Sequence, residues 1–403
     1  MITRAVSLYR NAYSGLTHRI WLLSVVMLIN RCGTMVLAFM TLYCRHLGFT
    51  LEQGGYVVAI YGIGAVTGAL IGGKISDKFG FYYTQFGALF FGGLMFITLG
   101  QMKTYSAICI CTFILSMVNE SFRPANATAI AHYSTTQNRT QSFSLVRLAI
   151  NLGWGIGSAL GGFLASINYH LLFWVDGGTN IAAACMLLII LPRVTKKQQL
   201  APSAANTASP AARAFYRDKK FLYFLGFQLF FAACFFQLFT TVPLFFKEGL
   251  HLSEFNIGTI MATNGILIAL FEMVLVFKLE GKRPYLVLMA YGSVLMGIAF
   301  LVLNLPGGNG FIIAVTAMLV ITFAEMISLP FMNSFYIGRS SESTRGQYAG
   351  MYTMTWSAAQ VIGSSMGALF AAAFGFMYLW ITVASLCMVA AGGYYWMQKN
   401  LPG

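Results

Sequence analysis

The sequence runs to 403 residues, 58% of them hydrophobic and only 9% charged, with 25 Lys and Arg against 11 Asp and Glu for a net charge of +14. A water-soluble protein of this length could not cover itself with so little polar surface, so the composition excludes a soluble enzyme or binding domain and predicts a chain that lives in lipid. A large positive excess would point to nucleic acid if it were gathered on a soluble face, but its distribution along the chain assigns it to the membrane surface instead.

Apolar runs of about 20 residues, long enough to cross a hydrocarbon core, recur from end to end. Between charged and turn-forming clusters they predict twelve helices. In the first half these fall at 20–43, 54–75, 82–101, 105–131, 142–165 and 169–191, and in the second at 221–245, 255–277, 285–304, 311–336, 347–373 and 376–397. The first run is too long for a signal-peptide core, carries Arg31 in its middle and has no small-residue cleavage site after it, so it is expected to remain as a span. The one long polar stretch, 193–220, is rich in Ala, Ser and Pro and closed at both ends by basic residues. It is expected to be a flexible cytoplasmic linker between a bundle at 1–192 and a bundle at 221–403.

On a twelve-span path, Arg4, Arg10, Arg19, Lys74, Lys78, Arg139, the Arg193–Lys197 and Arg213–Lys220 clusters, Lys278, Lys282, Arg283, Arg339, Arg345 and Lys399 fall on one side. Only Arg45, Lys103 and Lys247 fall on the other. This positive-inside bias predicts an inner-membrane protein with both termini in the cytoplasm, in contact with lipid and with no nucleic-acid partner. The seven Cys lie within or at the rims of apolar runs without metal-ligand spacing and are expected to be small core hydrophobes, so no metal and no cofactor is expected.

The chain also repeats itself. A shift of 206 residues (330 − 124) superposes Pro124 on Pro330, Arg139 on Arg345, Gln141 on Gln347, Gly157-Ser158 on Gly363-Ser364 and Gly161 on Gly367. Each half is therefore one copy of a six-span unit, and because six is even the copies share an orientation, as in parallel-repeat transporters.

The segment Gly73-Lys74-Ile75-Ser76-Asp77-Lys78-Phe79-Gly80, after the second span, resembles the loop signature of the major facilitator superfamily. It departs from that signature at Phe81, Tyr82 and Tyr83, where the family usually carries more Arg or Lys. The fifth span, Arg147 through Asn151, Gly153, Trp154 and Gly157 to Gly162, is similar to the corresponding segment of proton-linked multidrug exporters, with Ser158 where those usually have Pro. Asn30-Arg31 is similar to the Glu-Arg pair of proton-dependent peptide transporters, with Met27 and Asn30 in place of both acids. The resemblance to the superfamily covers essentially the whole chain. It implies an all-α membrane protein, twelve transmembrane helices in two pseudo-symmetric six-helix bundles, whose spans 1, 2, 4 and 5 and their counterparts 7, 8, 10 and 11 line a central cavity.

Ionisable groups inside spans are costly and usually functional. Arg31, Glu120 and Glu325 fall near the middle of their runs, with Arg123, Arg147 and Glu272 deeper toward the cytoplasm, all on spans that the resemblance places at the cavity. Span 6 has only Asp176. Glu120 and Arg123 (i,i+3) share a helix face, as do Arg147 and Asn151 (i,i+4). Tyr352, Trp356, Gln360 and Ser364 form an i,i+4 stripe on span 11, aligned by the repeat with Val146, Ile150, Trp154 and Ser158. Gln228, Gln237, Asn264 and Asn333 add hydrogen-bonding groups within the second-half spans.

These patterns predict a substrate site from Asn30, Arg31, Arg123, Arg147, Asn151, Trp154, Tyr352, Trp356 and Gln360. Proton coupling is expected through Glu325, with Glu120 as the alternative carrier, and gating at Gly73, Asp77, Lys78 and Gly80. Structural neutralisation among Arg31, Glu120 and Arg123 is the competing reading of those charges, and ordinary packing that of the aromatic stripe. No nucleophile–base pairing, metal motif or phosphate-binding G-x-x-x-x-G-K-[ST] loop is present, so neither an enzyme nor an ATP-driven pump is expected. A non-transporting receptor of the same fold would not need charge on cavity helices. The expectation is a monomeric secondary transporter of small organic solutes coupled to protons. The longer fifth-span resemblance favours efflux of amphipathic compounds or drugs. Uptake of small peptides or organic anions, suited to three Arg beside two Glu, is the alternative.

Overall fold

The computed structural model describes residues 7, 10–194, 215–305 and 309–401, and among these there is no β-strand. In hydrocarbon every backbone N–H and C=O needs an internal partner, which a helix provides within its own segment. In the N-terminal half the helices are α1 (His18–Cys32), α2 (Val36–His46), α3 (Leu51–Phe79), α4 (Phe81–Leu99), α5 (Tyr105–Glu120), α6 (Phe122–Tyr133), α7 (Arg139–Ile167) and α8 (Tyr169–Ile190). In the C-terminal half they are α9 (Lys219–Phe235), α10 (Thr241–Glu248), α11 (Glu254–Leu279), α12 (Tyr285–Val302), α13 (Gly310–Arg339), α14 (Arg345–Phe374) and α15 (Phe376–Asn400). A short 3-10 turn, Phe236–Phe239, joins α9 to α10.

Counted across their breaks, α1–α2, α5–α6 and α9–α10 each make one span, so the helices fall into the twelve expected spans in the expected order. Among the described residues, ten helical stretches are long and apolar enough to cross a membrane by themselves. The first span is divided at Gly33–Met35 into pieces of 15 and 11 residues. Large apolar side chains such as Phe91, Ile110, Phe163 and Ile189 are exposed, as a lipid-facing surface requires.

Small residues set how closely the helices approach. On α3, a Cβ at Gly64, Gly68 or Gly72 would lie 2.7, 2.3 or 2.4 Å from α5 or from Ser121 just beyond it. On α7, Cβ atoms at Gly153, Gly157 and Gly161 would lie 2.6, 3.0 and 3.0 Å from atoms of Arg31, Cys32 and Phe39, so the glycine run noted in the sequence packs along the broken first span. The turn between α3 and α4 rests on Gly80, whose φ of 93° favours glycine. Beyond the break, α2 packs with α4, α5 and α8 in an apolar core that includes Met40, Tyr43, Phe96, Leu99, Leu115 and Phe173.

The chain divides into two compact units. The first comprises Gly15–Ala214 with Ser340–Ser357; the second comprises Met1–Ser14, Phe215–Arg339 and Ala358–Gly403. The opening turns of α14 thus group with the N-terminal helices. Most of the polar stretch at 193–220, namely 195–214, lies outside the described residues.

Candidate functional site

The first unit gathers a polar cluster from three spans. Glu120 ends α5 and Arg123 opens α6, and the i,i+3 spacing across Ser121 brings Arg123 Nε to 3.0 Å from Glu120 Oε2. Tyr61, on α3, donates its hydroxyl to Glu120 Oε1 at 3.5 Å, and Ser116 fixes that part of α3 by donating to the Tyr61 carbonyl at 2.6 Å. Arg31, in the last turn of α1, lies in the field of Arg123, Glu120 and Tyr61. Its Nε is buried and has no hydrogen-bond partner among the described residues. Two guanidinium groups against one carboxylate leave this cluster with one excess positive charge, and the Arg123 side chain, 41% exposed, offers a donor outward. Such an arrangement is suited to hold an anionic group or a bound acceptor.

A second cluster in the same unit links α7 to the start of α14. Tyr352 is buried, and its ring lies 6.3 Å from that of the half-buried Trp356. Arg147 acts electrostatically on Tyr352, and Asn151 is half-buried one turn along α7. Trp154, at 53% exposure, and Gln360 stand exposed on their helices. Asn30 faces elsewhere: it is buried and donates to Asn180 Oδ1 on α8 at 2.9 Å.

In the second unit Glu325 sits in the middle of α13 with 2% exposure, where Asn264 of α11 donates to its Oε1 at 3.0 Å and to Thr322 Oγ1 at the same distance. Glu272, two turns beyond Asn264, is also buried. Tyr61 is invisible to sequence reasoning because a tyrosine in a Gly-rich span carries no charge signal. Asn264 is visible as a polar residue, but its facing depends on how α11 and α13 pack.

At the end of α3, Asp77 Oδ1 accepts the Gly346 amide at 2.8 Å and Oδ2 accepts the Gln347 amide at 2.9 Å. A carboxylate at the exposed N–H groups of a helix start matches the sign of the helix dipole. Glycine makes the approach possible, since a Cβ at Gly346 would lie 2.7 Å from Asp77 Oδ1 and one at Gly73 would lie 2.4 Å from the Gly346 carbonyl oxygen. Lys78 is directed to the Phe79 ring, 5.3 Å from its centroid. Of the residues that replace the usual basic ones, Phe81 and Tyr82 are buried, with the Tyr82 hydroxyl 3.4 Å from the carbonyl oxygens of Leu187 and Leu191.

Twelve spans, with buried ionisable groups on spans 1, 4, 5, 6, 8 and 10, define a polytopic membrane protein of the transporter class. The model of the Major Facilitator Superfamily matches residues 20–364, and the chain belongs to that family. It is 24% identical over 404 residues to a "Na(+), Li(+), K(+)/H(+) antiporter" of Planococcus maritimus, covering 92% of this chain and 93% of that protein. It is 22% identical over 349 residues to "Multidrug resistance protein 2" of Bacillus subtilis, covering 83% and 84%. Among solved structures, a bacterial homologue of the iron transporter ferroportin, in an outward-facing state, superposes with a TM-score of 0.76 at 15% identity, covering 95% of this chain and 100% of that one. That likeness establishes the fold: an all-helical, two-bundle transporter architecture.

Proposed function

We propose that this transporter is a proton-coupled antiporter of the inner membrane, with both termini and the 193–220 linker in the cytoplasm, that exports amphipathic compounds by alternating access. The observation that carries the reading is a buried mid-span acid that receives a neutral donor: Glu325 accepts from the amide of Asn264. Glu120, the other mid-span acid, is ion-paired to Arg123. An amide donor serves a carboxyl in its neutral form as well as in its charged form, because the second oxygen can take the proton. In this reading Glu325 carries the proton, Glu120 is the alternative carrier, and Arg31, Arg123, Arg147, Asn151, Tyr352 and Trp356 contact the solute. Asp77 acts as a latch on the start of α14, helped by Gly73, Lys78 and Gly80. Such a latch biases transport only because it is made in one state and lost in another. The names of the relatives, an antiporter and a multidrug resistance protein, support this direction.

A second reading has its own observation: the excess guanidinium charge around Arg31 favours an organic anion or small peptide. Proteoliposomes with an imposed proton gradient separate the two when cationic dyes are screened against anions and peptides. Dye movement against the gradient supports export. Gradient-driven accumulation of anions or peptides alone replaces it with uptake. Movement of none of them under any gradient removes the transport reading.

A further inference from the structure

Asp176 is an acid that the roles above leave unused, and it is the most buried acid among the described residues, at 1% exposure on α8. Its carboxylate faces the break in the first span. Oδ2 accepts the Met35 amide at 2.9 Å and the Val36 amide at 2.8 Å, and Oδ1 lies 3.2 Å from the same Met35 nitrogen. These are orphan donors at the start of α2, which no carbonyl of α1 reaches once the chain leaves helical geometry at Gly33. The rest of the α8 face completes the joint. Asn180, one turn on, takes Asn30 Nδ2 and returns its own amide to the Asp176 carbonyl at 2.8 Å, while a Cβ at Gly33 would lie 1.7 Å from Thr179 Oγ1.

The charge of this carboxylate is poorly compensated. The charged and titratable groups on the elements packed against α8 are His18, Arg19, Arg31 and Cys32 on α1, Tyr43, Cys44, Arg45 and His46 on α2, Tyr82 and Tyr83 on α4, and Arg139 and Arg147 on α7; α8 itself adds Tyr169, His170 and Cys185. Arg31 lies in the field of Arg123, Glu120 and Tyr61, and among the described residues only the two backbone amides act on the Asp176 carboxylate besides its burial. A helix start supplies roughly half a unit of positive charge, less than a full counter-ion inside a membrane.

We propose that Asp176 is a proton-carrying carboxyl that clamps the break in the first span while ionised and loosens it when protonated. A hydronium ion gives one proton to one carboxylate oxygen: its own O–H bond breaks, the carboxyl O–H bond forms, and water is left. The protonated carboxyl oxygen becomes an O–H donor; the other can still accept, but without the negative charge, so the bonds from the Met35 and Val36 amides lose their charge assistance and weaken. The break begins two residues after Arg31, so loosening it acts on the end of α1 that holds Arg31 in the field of Arg123 and Glu120. Its part in transport rests on the proton-coupled reading above; the clamp itself does not.

The test uses the full chain in lipid nanodiscs without any substrate. Amide hydrogen exchange of residues 33–37, corrected for the intrinsic effect of pH, is expected to rise several-fold as pH falls, while the Thr240 amide, held by the Gln237 carbonyl at the break of the second half, serves as an internal comparison. In infrared pH-difference spectra, a carboxylic-acid C=O band is expected to be lost in Asp176→Asn and retained in Glu325→Gln. Corrected exchange in the wild type that does not change with pH makes Asp176 a static helix cap and overturns the proposal. So does a C=O band unaltered in Asp176→Asn. The wild-type exchange decides the matter even where Asp176→Asn fails to fold. A proton-coupling failure at Glu325 is read separately, because it changes transport and leaves the exchange at 33–37 in place.

Discussion

The two halves break their first span at related places and repair the break with different chemistry. The N-terminal break, at Gly33–Met35, is met by an acid from another span: Asp176 takes the Met35 and Val36 amides. The C-terminal break, at Phe236–Thr240, is met from within by a neutral side chain. Gln237 accepts Thr241 Oγ1 at 2.7 Å and donates to the carbonyls of Ala233 and Gly363 at 3.1 and 2.8 Å. Of the mid-span acids, Glu120 is ion-paired to Arg123 and Glu325 accepts from the amide of Asn264. In the proposed scheme a duplicated scaffold thus carries a proton-sensitive joint in one half and a proton-sensitive mid-span acid in the other. Repeats preserve geometry more readily than they preserve charge.

The contrast can be broken most strongly at the joint. Asp176→Leu strands two buried amide donors, each costing about 1–3 kcal/mol. It should lower thermal stability in detergent more than Gln237→Leu, which leaves groups that helical neighbours can still serve; equal losses would mean the joints are equivalent. Gly33→Ala should follow, because its Cβ would meet Thr179 Oγ1 at 1.7 Å; overpacking of this kind costs about 1–3 kcal/mol, and Thr179→Ala should restore part of the melting temperature. At the polar cluster, Arg31→Lys should reduce transport more than expression, since a lysine keeps the charge and loses the planar fork. Normal transport by Arg31→Ala would remove that residue from the site. Asp77→Asn keeps one acceptor and loses the charge, an effect of about 0.3–1 kcal/mol at a helix start, seen as faster exchange of the Gly346 and Gln347 amides. Smallest of all, protease added to inside-out vesicles should cut within 193–220 and leave both bundles folded; protection there would reverse the topology.

Much of this was legible before any coordinates. The hydropathy runs placed all twelve spans, and the 206-residue shift (345 − 139) related the halves because duplicated packing keeps its Pro, Gly and Arg in register. The i,i+3 spacing of Glu120 and Arg123 led directly to their ion pair. What stayed hidden depended on contacts between spans. Hydropathy reads 20–43 as one run, and nothing local says that Gly33 ends a helix against Thr179. Asp176 stood out as the single charge of its span, but its purpose lies in amides 140 residues away. Asn30 was grouped with Arg31 because they are adjacent, whereas neighbours on a helix point about 100° apart, and Asn30 turns to Asn180.

The central claim is that Glu325 exchanges the coupling proton, and Glu325→Gln tests it most directly because it keeps the shape and fixes the neutral form. The measurement is transport in proteoliposomes of whichever solute the gradient screen identifies, made once with a proton gradient and once as exchange at equal concentration and pH on both sides. The account predicts that gradient-driven transport disappears while exchange survives. Gradient-driven transport that persists in Glu325→Gln and is abolished in Glu120→Gln would contradict it and exchange the roles of the two acids.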